Sequence, residues 1–143
     1  MVEDRVRIRE MLADLEEYLD GLREKQGVPR DRFETETDLQ DIVERRLEKA
    51  TQTCIDIGRL IGREEGRNLN EATNAEVFIA LVELDILPPS HRQEFIDIGG
   101  LRNVLAHRYR HIDTGEIYEV YHDLDRLERF SEAIYRYLHE DAA

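Results

Sequence analysis

Cysteine occurs once in this chain, at Cys54. That excludes an internal disulfide and any cysteine-rich zinc site. No apolar run approaches the roughly 18 residues that a membrane span requires, and the opening MVEDRVRIRE holds no apolar signal core, so the cytoplasm is the expected compartment. No window alternates apolar and polar residues as a half-buried strand does. Internal repeats, low-complexity segments and interdomain composition breaks are missing too, so residues 1–143 read as one domain. Positive charge is scarce: 20 Lys and Arg stand against 33 Asp and Glu, for a net charge of −13. Lysine is scarcer still, with only Lys25 and Lys49, a composition that suits high salt and a GC-rich genome equally. A chain this acidic repels nucleic acid over most of its surface, so any RNA or DNA contact must be local.

What the chain does have is helical periodicity. Apolar residues make up 41% and charged residues 37%, too apolar for disorder and suited to amphipathic helices. A first helix carries Val6, Ile8, Leu12, Leu15, Leu19 and Leu22 and ends near Gly27-Val28-Pro29. A second starts at TETD, where Thr35 and Asp38 fit a capping box, and carries Leu39, Val43, Leu47, Ala50, Cys54, Ile57 and Ile61 to about Gly62 or Gly66. A third spans about Glu71 to Asp85 and stops at Pro88-Pro89. Ser90 with Gln93 fits another capping box and opens a fourth, broken at Asp113-Thr114-Gly115. A fifth runs from about Glu116 to His139. The expectation is an all-α, five-helix bundle.

The fourth helix carries an anomaly. From Ile98 to Ile112 there is no Asp or Glu, while Arg102, His107, Arg108, Arg110 and His111 crowd together. Its apolar stripe is Phe95, Ile98, Leu101 and Leu105. A different face holds Gly99, Gly100, Asn103, Ala106 and His107. Glycine in a helix interior costs about 1 kcal/mol relative to alanine, so two in succession suggest that another backbone comes close. Near a helix C-terminus the dipole favours a charged imidazole at His107 while the neighbouring arginines oppose it, a balance suited to general acid–base work near neutrality. Arg102 has the fork geometry to hold a phosphate. On a continuous helix Tyr109, seven residues on, points the same way. The plainer reading is a solvated cationic helix end with the Tyr109 ring packed down.

The spacing Arg102-x4-His107-x-Tyr109, within GLRNVLAHRYRHID, resembles the signature of HepT-like proteins of the HEPN superfamily of small α-helical ribonucleases. Arg102, Asn103, His107 and Tyr109 all match the family pattern, and QTCIDIGRLI, FIALVELDILPPS and EFIDIGGLRN resemble its flanking helices, so the likeness covers roughly residues 38 to 135. The resemblance implies a homodimer whose two motifs meet at the interface. It implies a toxin whose partner is a minimal nucleotidyltransferase antitoxin of the MntA type, which transfers AMP from ATP to Tyr109 (AMPylation). The implied chemistry is RNA cleavage without a metal or other cofactor: His107 moves the proton, Arg102 stabilises phosphate charge, and Asn103 holds His107 or the phosphate. Arg108 and Arg110 are expected to bind RNA. Two other functions stand beside this one. A non-catalytic HEPN module serving a nucleotidyltransferase has no need of the intact four-residue set, and a plain helical dimerisation protein has no need of the motif at all.

The remaining candidates read as structure. Cys54 lies on the apolar stripe of the second helix and is expected in the core. Asp56 is expected to be solvated or salt-bridged, with orientation of Arg102 across the bundle as the alternative. His91, His122 and His139 show no metal-ligand spacing. Of Tyr118, Tyr121, Tyr135 and Tyr137, two or three are expected in the core.

Overall fold

A computed structural model describes residues 2–106 and 113–140. Within them lie seven α-helices and no strand: α1 (Val2–Glu24), α2 (Arg30–Thr35), α3 (Thr37–Glu64), α4 (Asn74–Glu83), α5 (Arg92–Ala106), α6 (Thr114–His122) and α7 (Asp125–Glu140), with a 3₁₀ turn at Pro89–His91. None of these helices is long and apolar enough to cross a membrane.

The centre of the bundle is α3, 28 residues and about 42 Å long, which touches every other α-helix. Its stripe of Leu39, Val43, Leu47, Ala50, Cys54, Ile57 and Ile61 is buried. Against it α1 presents Ile8, Leu12, Leu15, Leu19 and Leu22, also buried. The three- and four-residue spacing puts each set on one face, and each large aliphatic side chain so buried contributes about 1.5–3 kcal/mol. A buried carboxylate fixes the far end of this pair. Asp4 is only 4% exposed, and Arg63 donates to both its oxygens, at 3.1 and 2.9 Å. Where α3 meets α4 there is no room for a side chain: a Cβ on Gly58 would stand 2.5 Å from Val77 Cγ1.

Seven helices rather than five correct the sequence expectation. Thr35 does not open α3. Its hydroxyl donates back to the carbonyls of Asp31 and Arg32, closing a separate short helix whose Phe33 is buried against the rings of Tyr118 and Tyr121. The expected final helix is two, divided at Asp123-Leu124, because the N-H of Asp123 turns back to the Val120 carbonyl. Ser90 sits in the 3₁₀ turn, and Gln93 donates to Asp97 instead of completing a capping box. The box that does form is Thr73 with Glu76, at the start of α4.

Hydrogen bonds tie α6 to the turn after α1. Tyr121 donates to the Lys25 carbonyl, Tyr118 to that of Val28, and Gln26 to that of Tyr121. The chain therefore returns from the motif segment into a fixed seat.

Candidate functional site

Only the first half of the motif falls among the described residues. Arg102 and Asn103 are on α5; His107, Arg108, Tyr109 and Arg110 lie outside them. Phe95, Ile98 and Leu105 are buried, as the apolar stripe requires. They set the roll of α5 and so present Gly100, Asn103, Val104 and Ala106 outward, with Arg102 half-buried.

The side chain of Arg102 reaches α3. Its Nε–H donates to Gln52 Oε1 at 2.6 Å, a short contact typical of a charge-assisted hydrogen bond. Gln52 Nε2 in turn donates to Asp56 Oδ1 at 2.8 Å. Asp56 thus connects to Arg102 through an intervening amide, that of Gln52, a link that sequence reading missed. The signal was faint, two polar residues four apart on the flank of an apolar stripe, a spacing that puts them on one face. Cys54 lies between them in sequence but is wholly buried, and burial pushes its thiol far above the usual range. It is a core residue, not a nucleophile.

Asn103 is held from the other side. Asn74, the first residue of α4, donates from Nδ2 to Asn103 Oδ1 at 2.8 Å. The two helices can come this close because of Gly99, where a Cβ would stand 3.1 Å from the Asn74 carbonyl carbon and 3.2 Å from the Ala75 nitrogen. The glycine pair therefore divides. Gly99 serves the contact between α5 and α4 within the chain, while a Cβ on Gly100 meets nothing within 4 Å among the described residues.

Among the described residues no group of three or more His, Cys, Asp or Glu is placed to hold a metal. A cavity of about 400 Å³ between α7 and the end of α4 includes Glu65, Asp85, Arg136 and Glu140 in its lining. Its carboxylates repel a polyanion, and it contains no motif residue. Tyr121 and Tyr137 are buried and Tyr135 is exposed, which agrees with two or three core tyrosines. His122 has both ring nitrogens on backbone carbonyls.

The described residues thus form an all-α bundle in which α3 and α4 each hold one residue of an Arg-Asn pair on α5. Residues 8–134 match the family model described as ribonuclease HepT-like, so the chain belongs to the HepT-like family, and the match takes in the first helix as well. It is 34% identical over 101 residues to the tRNA nuclease HepT of Aphanizomenon flos-aquae, covering 71% of this chain and 68% of that protein. It is 25% identical over 103 residues to the mRNA nuclease HepT of Shewanella oneidensis, covering 71% and 77%. The fold matches the tri-AMPylated Shewanella oneidensis HEPN toxin in its complex with MNT antitoxin, with a TM-score of 0.76 and 22% identity over 89% of this chain and 95% of that one. It also matches the cytosolic protein YutE of Bacillus subtilis, of unknown function, with a TM-score of 0.81 and 18% identity over 96% and 92%.

Proposed function

We propose that this protein is a ribonuclease toxin that cleaves RNA without a metal ion, at a site made where two copies meet, and that a minimal nucleotidyltransferase silences it by transferring AMP to Tyr109. The observation that carries the reading is the grip on Arg102: a guanidinium fixed by Gln52 beside an exposed Asn103, in a chain of this family. A guanidinium held in place before the substrate arrives stabilises developing phosphate charge without reorganising.

In this mechanism the RNA 2′-hydroxyl attacks the adjacent phosphorus and the 5′-oxygen leaves, so the products are a 2′,3′-cyclic phosphate and a 5′-hydroxyl. His107 accepts the proton from the nucleophile, and the partner subunit's His107 supplies one to the leaving oxygen. Arg102 and Asn103 face the phosphate oxygens, and Arg108 and Arg110 hold the flanking backbone. The acid-free strip from Ile98 to Ile112 is then the surface where a polyanion can settle on an acidic molecule.

The test is cleavage of labelled tRNA and an mRNA transcript by the purified protein in EDTA. Cleavage should persist and leave cyclic phosphate ends. Arg102→Ala and His107→Ala should each lose about 10²- to 10⁴-fold, the usual size of general acid–base and electrostatic contributions. A strict need for a divalent cation, or full activity in His107→Ala, overturns the mechanism. Each AMP brings about one negative charge at its phosphate, enough beside Arg102 to block RNA by occupancy and repulsion. Co-expression with the nucleotidyltransferase should therefore yield an inactive protein with AMP on the Tyr109 peptide. An inactive but unmodified protein assigns silencing to occlusion.

A further inference from the structure

We infer that Gln52, braced by Asp56, is the positioning residue for Arg102: it orients the guanidinium through Nε while leaving its positive charge for the phosphate. The functional part of this inference rests on the reading of Arg102 given above; the structural part does not.

The geometry is a directed chain. Arg102 Nε–H donates to Gln52 Oε1 at 2.6 Å, and Gln52 Nε2–H donates to Asp56 Oδ1 at 2.8 Å. The amide can face only one way. Turned over, it would set N–H against N–H at the arginine and oxygen against oxygen at the carboxylate. Each bond polarises the next, so the carboxylate makes Gln52 Oε1 a better acceptor than an isolated amide. Gln52 and Asp56 sit one turn apart on α3, a helix anchored on its other faces by buried aliphatics. The acceptor is therefore carried by the central helix, which packs against every other α-helix.

The choice of an amide matters. A carboxylate in contact with a guanidinium forms a two-pronged ion pair that uses two of its nitrogens and cancels its charge. RNA would then have to displace that carboxylate. A neutral amide takes one N–H only. The guanidinium has five N–H groups in a planar fork, so fixing Nε fixes the plane in which the terminal nitrogens meet a phosphate. Asp56 lends its polarity from one residue further back. An acidic chain gains orientation at the site in this way without setting another carboxylate against it.

The distinguishing readout is the Nε–H resonance of Arg102 in the intact protein, assigned by its loss in Arg102→Lys. In the wild type it should be resolved and slow to exchange with water. Gln52→Met, which keeps length and bulk but has no acceptor, should return it to the position and exchange of a solvated arginine. Asp56→Leu should move it part of the way, and Asp56→Asn, which keeps an acceptor for the Gln52 amide, less far. In cleavage of labelled tRNA and an mRNA transcript, Gln52→Met should lower kcat about ten- to a hundredfold, the span of one charge-assisted bond, with a smaller change in KM. Added to Arg102→Ala it should cost nothing more, because the group it positions is gone. Gln52→Met with the Arg102 Nε–H signal and kcat of the wild type overturns the inference, as does a full additive loss in the double variant. An active Arg102→Ala overturns the proposed function instead, and the resonance still decides whether Gln52 holds Arg102.

Discussion

At the scale of single residues, the candidate site divides by what a sequence can show. Arg102 and Asn103 were legible because their spacing to His107 and Tyr109 is a pattern. Gln52 and Asn74 were not, because the partners they hydrogen-bond lie 50 and 29 positions away, and no local periodicity reports a contact at that range. Asn74 makes a separable prediction. Its amide takes one acceptor site of Asn103, so in the proposed mechanism the Asn103 N–H₂ is the group that meets the phosphate. An exposed hydrogen bond of this kind contributes about 0.5–1.5 kcal/mol, which as a rate is roughly two- to tenfold. Asn74→Ala should lower RNA cleavage by that much with little change in thermal midpoint, and Asn103→Ala should lose more, since it also removes the group in front. Equal losses in both variants would mean that Asn103 has no role of its own toward RNA.

At the scale of elements, the long helices were legible and the short ones were not. The α1 and α3 stripes are read straight from three- and four-residue spacing. The six-residue α2 has too few positions for a period to appear, and Thr35 fits a helix start in sequence although its hydroxyl closes a helix end. The cap that does form has a consequence for pH. Glu76 accepts from the Thr73 backbone N–H at 2.9 Å, and this bond, with the Thr73 hydroxyl, holds the carboxyl below its ordinary range. A carboxylate whose folded value is depressed contributes stability above its unfolded value and loses it as pH falls through the folded one. Acidification through and below the ordinary carboxylate range should thus loosen the start of α4, and with it Asn74. In Glu76→Gln the amide no longer titrates. Protection of the amides of residues 74–77, relative to their intrinsic exchange at each pH, should then lose its fall on acidification while the wild type keeps it. An identical pH profile in the two proteins would place the acid-sensitive step elsewhere.

For the whole molecule, the decisive prediction concerns Gly100. Among the described residues of one protomer its place is unexplained: it is exposed, none of them lies within 4 Å of an added Cβ, and a helix-interior glycine is disfavoured by about 1 kcal/mol against alanine. Gly99 beside it is accounted for by α4. Val104, 53% exposed, and Ala106 continue the same outward face, so α5 presents a small and partly apolar surface next to Arg102 and Asn103. The proposed homodimer supplies a reason, since isologous packing brings equivalent residues of two copies together and a glycine lets their backbones approach. Gly100→Leu separates the two levels. The space around an added Cβ is open among the described residues and leucine improves helix propensity, so the protomer should keep its helical content. At a two-fold contact the same leucine meets its own copy, and overpacking typically costs about 1–3 kcal/mol per site. The variant should weaken self-association about ten- to a hundredfold or more, measured by sedimentation across a dilution series. RNA cleavage should fall in step with the dimer fraction if each site needs both copies. A Gly100→Leu protein that remains dimeric and fully active would place the interface on another face of the bundle.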